Sequence, residues 1–171
     1  MGRAMDSLSN LDRRLAFAMR SLCVVCIFLL LVLLTGNVFF RFVPIMSMGW
    51  YDEIVEMLFA WLVFIGAAVL WRENSHFRVE WLSSKLGNRT AGHVLGVIVE
   101  LISLFFLAVM THQGLKLTLL ANDWTPILKL PKRLLYLDIP IGGSLMIAYG
   151  IRNIVHHILL LKARSAGYHP E

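Results

Sequence analysis

The sequence predicts an all-α integral membrane protein with four transmembrane helices, an N-terminal amphipathic segment and an interfacial segment between the second and third helices. Hydrophobic residues make up 58% of the 171 residues, and the mean hydropathy is +0.70. Charged residues make up 16%, whereas soluble domains carry about 25%. Because these charges lie between long apolar runs, we expect a single membrane domain that covers residues 1–171.

Four apolar runs are long enough to cross a bilayer, which takes about 20 residues of helix. Backbone groups in lipid must be paired internally, so runs of this length are expected to be helical. The predicted helices cover residues 22–40, 54–71, 94–111 and 134–158. Glu56 and Glu100 are the only charged residues of the second and third runs, and Asp138 lies early in the fourth. We expect the four helices to form a bundle.

A weaker helical pattern precedes the first run, over residues 8–20. Apolar side chains recur there at spacings of three and four: Leu8, Leu11, Leu15, Ala18 and Leu22. This spacing predicts an amphipathic helix. Such a helix can lie along the membrane surface, or it can extend the first transmembrane helix into the cytoplasm, and the sequence leaves both arrangements open.

The Lys and Arg residues predict the orientation. Eleven of them fall in the N-terminus, the 72–93 connection and the C-terminal end, and five fall in the other two connections. Cytoplasmic segments are enriched in Lys and Arg. We therefore expect both termini and the 72–93 connection to be cytoplasmic, although the 112–133 connection is as basic as the cytoplasmic segments.

The remaining patterns argue against two classes of function. The net charge is +5, but the basic residues flank apolar runs as topology signals do and do not form the basic face of a nucleic-acid-binding domain. The sequence contains no nucleotide-binding glycine loop, no H-E-x-x-H zinc motif and no G-x-S-x-G nucleophile motif. We expect neither nucleic-acid binding nor catalysis.

Two alternatives rest on single features. Glu100 is a lone membrane carboxylate, and such residues are functional by default, so a self-sufficient proton-coupled exporter is one alternative. The sequence equally allows Glu100 a structural role, for example in a pair with Arg152, and we favour that role because no second buried carboxylate accompanies it. Cys23 and Cys26 form a C-x-x-C pair inside the first apolar run, which suggests a quinone-linked thiol oxidoreductase as the second. Reactive cysteines need access and charged neighbours, and this pair has neither.

Polar residues also gather where the first two helices meet. Arg41 ends the first helix and Glu53 and Glu56 begin the second, so an ion pair across this hairpin is one expectation. A patch that receives a partner protein is the other expectation. Its candidate residues, on the predicted periplasmic side, are Arg41, Trp50, Asp52, Glu53 and Glu56.

The third helix carries a face of small residues. Gly92, Gly96 and Glu100 are spaced by four. Small residues at this spacing let two helix backbones approach closely. We therefore expect this face to pack against another helix, in this chain or in a partner.

The segment W-R-E-N-S-H-F-R-V-E-W-L, residues 71–82, mixes aromatic and charged side chains between two apolar runs. Aromatic residues favour the membrane interface, and Arg side chains extend to lipid headgroups. We expect an interfacial anchor that contacts lipid or a second subunit. Its candidate residues are Arg72, His76, Arg78, Glu80 and Trp81.

Several short motifs, taken in order, resemble the small membrane subunit of TRAP transporters. They are Arg41, W-Y-D-E at residues 50–53, F-A-W-L-V-F-I-G-A at 59–67, R-E-N-S-H-F-R-V-E at 72–80 and I-P-I-G at 139–142. Within the fourth motif, Arg72, His76, Val79 and Glu80 fit the family's closing element. The resemblance covers essentially the whole chain in length, helix count and order of motifs.

The resemblance implies a set of partners. A large multi-helix membrane subunit would carry the substrate and sodium sites, so that no cofactor is expected in this chain. A periplasmic solute-binding protein would deliver an organic carboxylate. The small subunit would lie in the bacterial inner membrane with cytoplasmic termini and brace the large subunit, with Arg72, His76 and Glu80 as an inner anchor.

Overall fold

Five helices make up most of the part of the chain that the structure describes. The computed structural model describes residues 2–42, 49–73 and 90–165, and the side chains of residues 10–42, 49–73, 97–155, 158 and 159 within them. The helices are α1 (Gly2–Phe42), α2 (Tyr51–Arg72), α3 (Thr90–Leu120), α4 (Lys132–Tyr136) and α5 (Asp138–Ser165). In the described part of the chain, four stretches are long and apolar enough to cross a membrane: Asn10–Phe42, Tyr51–Arg72, Val97–Leu120 and Lys132–Val155. The all-α fold with four membrane spans is confirmed.

The amphipathic segment continues directly into the first membrane helix, because α1 is one uninterrupted helix of 41 residues. Ala16 and Met19 are buried, and Cys26 and Leu30 continue the same buried seam further along α1. This seam packs against α2. The segment therefore extends the first membrane helix, which is the second of the two arrangements that the sequence left open.

The third helix is longer than the sequence indicated. It runs to Leu120, whereas the apolar run was expected to end at residue 111. Polar side chains interrupt the hydropathy there, but the single hydroxyl hydrogen of Thr118 is shared between the carbonyl oxygens of Gly114, 2.8 Å from Oγ1, and Tyr136, 3.0 Å from Oγ1. Because the helix accommodates these polar groups, the connection to α4 is limited to residues 121–131, here called the connecting loop.

The helices form an open row, whereas the sequence predicted a bundle without indicating which helices are neighbours. Helix α1 packs on α2, α2 on α5, and α5 on α3. Among the described residues, the backbone of α1 does not approach that of α3 or α5. An open row is possible because lipid solvates apolar helix faces as well as another helix does. The row leaves large side chains exposed on α1 and α3, such as Phe28, Phe39, Phe105 and Phe106.

Glycines bring the central helix α5 close to both neighbours. A Cβ atom added at Gly142 would lie 2.9 Å from Cβ and 3.0 Å from the carbonyl oxygen of Phe64 on α2. One added at Gly150 would lie 2.8 Å from Leu104 Cδ2 and 3.0 Å from Glu100 Oε1 on α3. Larger side chains at these positions would push the helices apart, so the glycines set the spacing of the row.

Candidate functional site

The polar side chains that tie the helices together lie at the two opposite ends of the helices, along the helix axes. We call the end with the first residues of α1 and the last residues of α5 the terminal side. The end with the α1–α2 hairpin and the connecting loop is called the hairpin side. Buried apolar residues fill the part of the row nearer the terminal side: Met19, Ile65, Ala68, Trp71, Leu107, Met146 and Tyr149.

On the terminal side, Asp12 joins three helices. Arg72, at the end of α2, donates hydrogen bonds to Asp12 of α1 through Nη2 at 2.6 Å and Nε at 3.2 Å. Tyr149 of α5 donates its hydroxyl proton to Asp12 Oδ1 at 3.1 Å. Charge-assisted contacts in which one guanidinium makes several bonds to a carboxylate are the stronger kind of hydrogen bond. Asp12 therefore fixes α1 to both α2 and α5.

Three further contacts lie beside these bonds and complete a group called the Asp12 cluster. Arg152 of α5 donates to the carbonyl oxygen of Arg72 at 2.7 Å, which is one of the carbonyls that a helix end leaves without an internal partner. The Arg152 guanidinium also lies 5.0 Å from the centre of the Tyr149 ring, within cation–π range. Arg20 of α1 forms a salt bridge with Glu73 just beyond α2.

Glu100 belongs to α3 and contacts both α2 and α5. Trp71 Nε1 donates a hydrogen bond to Glu100 Oε1 at 3.0 Å, and the same carboxylate lies opposite Gly150 at the close α3–α5 contact. Pairing of Glu100 with Arg152 was one option considered from the sequence, but the Arg152 contacts described lie at Arg72 and Tyr149. The surroundings of Gly92 and Gly96, the other predicted packing residues, lie outside the described side chains.

The terminal-side residues were only partly found from the sequence. Arg72 was selected as an interfacial anchor, and the structure places it in contact with this chain's own Asp12. The other candidates of that segment, His76, Arg78, Glu80 and Trp81, lie outside the described residues. Sequence patterns did not identify Asp12 and Tyr149 as contact residues. A signal for both was present, because each places a polar group among apolar residues of its helix.

On the hairpin side, Glu53 holds the connecting loop. Its carboxylate accepts hydrogen bonds from the backbone N–H groups of Ile127 at 2.8 Å and Leu128 at 3.0 Å. Glu53 is 8% exposed. Two backbone donors that would otherwise lack a protein partner are thereby satisfied, and the loop is fixed against the start of α2.

The connecting loop is also braced internally. Thr125 donates its backbone N–H to Leu130 O at 2.8 Å, and Leu130 N–H donates to Thr125 Oγ1 at 3.0 Å. Arg133 donates to the carbonyl oxygen of Ala121 at 3.0 Å and to Asn122 Oδ1 at 2.6 Å. These bonds give a short basic loop a defined shape, which sequence patterns did not indicate.

The other hairpin-side candidates are mostly exposed. Arg41, Asp52 and Glu56 are exposed, and Trp50 is half-buried. The salt bridges of the described residues do not include a pair between Arg41 and either Glu53 or Glu56. The expected hairpin ion pair is therefore wrong, because the loop N–H groups take the Glu53 carboxylate.

A cavity of about 90 Å³ opens on the same side, between α2 and the α4–α5 segment. We call it the acidic notch. Its lining includes Glu56, Ala60, Phe64, Tyr136, Asp138 and Ile139. Asp138 is 1% exposed, and neither of its carboxylate oxygens has a hydrogen-bond partner among the described residues. The sequence placed Asp138 early in the fourth apolar run but indicated no role for it.

The sequence of this chain is similar to those of known membrane transport proteins. A family model for the DctQ component of tripartite ATP-independent periplasmic (TRAP) transporters matches residues 30–160, more than half of the chain. A Haemophilus influenzae protein, provisionally named a TRAP transporter small permease protein, is 28% identical over 145 residues. Those residues cover 84% of this chain and 89% of the relative.

The family is a transporter component and not an enzyme, so the oxidoreductase alternative is wrong. Cys23 and Cys26 are free thiols on α1, half-buried and buried respectively. The four membrane spans, the order of the sequence motifs and the family match agree with one another. The chain therefore belongs to the DctQ family and is the small membrane subunit of a TRAP transporter.

Proposed function

We propose that this subunit is a stationary scaffold for the large permease subunit of its transporter. The large subunit carries the substrate and sodium sites and performs the movement. A periplasmic solute-binding protein delivers the substrate, an organic carboxylate. This chain contributes position and rigidity, and it binds no cofactor of its own.

The observation that carries this proposal is the open row of helices. Large apolar side chains stay exposed along the row, on α1 and α3 above all. Contiguous apolar surface of this kind suits a membrane partner as well as lipid. A single layer presents far more surface to a neighbour than a closed bundle of the same four helices would.

Rigidity supports the same proposal. The row is tied at the terminal side by the Asp12 cluster and at the hairpin side by Glu53. Glycine contacts hold α5 close to α2 and α3 between these ends. A scaffold has to keep its shape while its neighbour moves, and ties at both ends favour that.

The polar groups in the spans suit a structural role better than a transport path. Glu100 accepts a hydrogen bond from Trp71 and lies in a close helix contact. Transport sites near the midplane gather several convergent polar groups, usually at broken helices. The described parts of α1, α2 and α3 are continuous through their spans, which disfavours the exporter alternative.

The proposed orientation places both termini in the cytoplasm of a bacterium and the row in its inner membrane. The hairpin side then faces the periplasm, where exposed Trp124 and Ile127 of the connecting loop are available to the binding protein. This orientation rests on the Lys and Arg distribution. It is tested with a membrane-impermeant maleimide in a variant without native cysteines.

Two labelling variants each carry one new cysteine. One replaces Asp123, whose side chain is 81% exposed, and the other replaces Asn10, which is also exposed. We expect whole cells to label Asp123→Cys and to leave Asn10→Cys unlabelled until the membrane is permeabilised. The reverse pattern would overturn the orientation without affecting the scaffold proposal.

The scaffold proposal itself is tested by purifying the tagged chain from its native membrane in mild detergent. We expect a large multi-helix membrane protein to accompany it in fixed stoichiometry, and substrate uptake to require both proteins. A chain that is purified alone, or as a homodimer that transports by itself, would refute the proposal. Glu53→Ala is compared with Asp52→Ala, a change at an exposed neighbouring residue. The comparison measures how much the hairpin-side contact of Glu53 contributes to this association.

A further inference from the structure

The acidic notch holds a buried carboxylate whose counter-charge is missing from the described part of the chain. Asp138 begins α5, and neither of its buried carboxylate oxygens has a hydrogen-bond partner among the described residues. Glu56 lies at the same notch and is exposed. Thus one carboxylate lies deep in the notch and a second is accessible from outside.

Burying a carboxylate in an apolar setting is costly unless a cation or several donors compensate it. Two cations on the hairpin side of the described chain, Arg133 and Lys132, have partners away from the notch. Arg133 contacts Ala121 and Asn122 of the connecting loop. Lys132 lies 3.8 Å from Asp123. None of the described salt bridges reaches Glu56 or Asp138.

Resting on the function proposed above, we propose that the acidic notch receives an Arg or Lys side chain of the large permease subunit. The long side chain passes the exposed Glu56 and places its charge at Asp138. Arginine suits this geometry best, because its planar group stays charged and donates to more than one carboxylate. The notch then fixes the register between the two subunits.

A free metal ion fits the notch less well. Hard cations take six or more oxygen ligands in most protein sites. The notch offers two carboxylates, and much of its remaining lining comes from apolar side chains such as Ala60, Phe64 and Ile139. A side chain with an aliphatic stem and a charged tip matches both parts of this lining.

The test measures the affinity between the purified large subunit and variants of this chain in lipid nanodiscs. Asp138→Asn removes the charge and keeps the shape, and Asp52→Asn removes an exposed carboxylate that is not part of the notch lining. Loss of one member of a buried charge pair is expected to weaken binding about 30-fold or more. Asp52→Asn should bind as the unmodified chain does. An Asp138→Asn variant with unchanged affinity would overturn the proposal.

A second measurement covers the case in which Asp138→Asn lowers the stability of the small subunit itself. Glu56 is exposed, so Glu56→Gln leaves folding intact and should still weaken binding. Each membrane-facing Lys or Arg of the large subunit is then neutralised in turn, alone and together with Glu56→Gln. One of these residues should show coupling, so that the double variant binds no more weakly than the worse single variant. Absence of any coupled residue would overturn the proposal.

Sodium provides the last discriminating condition. If affinity depends on sodium concentration, if Asp138→Asn removes that dependence, and if no large-subunit cation is coupled, a free ion occupies the notch and the proposal is wrong. If the unmodified chain does not bind a large subunit at all, the proposed function fails too. If it binds and the notch variants bind equally well, only the inference about the notch fails.

Discussion

Gly142→Ala tests whether glycine sets the spacing of the helix row. The added Cβ would lie 2.9 Å from Cβ and 3.0 Å from the carbonyl oxygen of Phe64, whereas carbon atoms pack best at about 3.5–4.0 Å. Because part of the obstacle is backbone, a change of rotamer cannot remove it, and α2 and α5 must separate. Overpacking of this kind costs about 1–3 kcal/mol.

Gly36→Ala is the matched control, because a Cβ at this position of α1 meets nothing within 4 Å. Both variants gain the same helix propensity, about 1 kcal/mol. The difference between their unfolding free energies therefore isolates the clash at Phe64. At about 2–4 °C for each kcal/mol in a protein of this size, we expect Gly142→Ala to unfold roughly 2–12 °C below Gly36→Ala.

The melting temperatures are measured with a dye that fluoresces on reaction with thiols. Cys26 is 2% exposed in the folded chain, so its reaction reports unfolding. The isolated subunit is heated in one detergent at one protein concentration. Equal melting temperatures for the two variants would show that α2 and α5 do not depend on this close approach, and the reasoning would be refuted.

Three other predictions concern the polar contacts. Asp12→Asn weakens the tie between α1 and its neighbours by roughly 1–2 kcal/mol, since the pair is partly exposed, and faster hydrogen exchange in the first turns of α1 should report it; the exposed neighbour change Arg13→Gln should leave exchange unaltered. Glu53→Ala frees the connecting loop, so trypsin should cut there several-fold faster than in Asp52→Ala, and equal cutting would contradict the assigned contact. Glu100→Gln keeps a hydrogen-bond acceptor for the Trp71 indole, so the assembled transporter should retain substrate uptake. Loss of uptake would instead support the alternative in which Glu100 carries protons.

Hydropathy alone was sufficient to predict the four spans, because each run has few charges over a length that a bilayer requires. It could not predict the row. Helices that are apolar on all sides carry no stripe that identifies which face meets a neighbour, and lipid accepts any face that is left over. The close contacts of the α5 glycines set the helix spacing, and their partners Phe64 and Leu104 lie on helices far away in sequence.

The site was predicted in part for a related reason. Charged residues near the membrane were found because they are rare, but their partners were chosen by closeness along the chain. Glu53 was matched with Arg41 across a short hairpin, while its contacts are backbone groups more than 70 residues away. Backbone donors leave no mark in the sequence, so loop geometry was needed to find them. Arg72 was predicted to contact lipid or a second subunit, which stays a prediction, while the partner that the structure shows is Asp12, 60 residues earlier in the same chain.

Helix α2 is the element on which both ties depend. Near its first residue Glu53 accepts two N–H groups of the connecting loop, and at its last residue Arg72 binds Asp12. Each end of one membrane helix is thus held by a segment distant in sequence, and Phe64 between them meets Gly142 at close range. Helix α2 is therefore held at three heights, by the connecting loop, by α5 and by α1. A row of helices lacks the shared core of a bundle, so under the proposed scaffold function these three contacts would keep the row in shape beside a moving subunit.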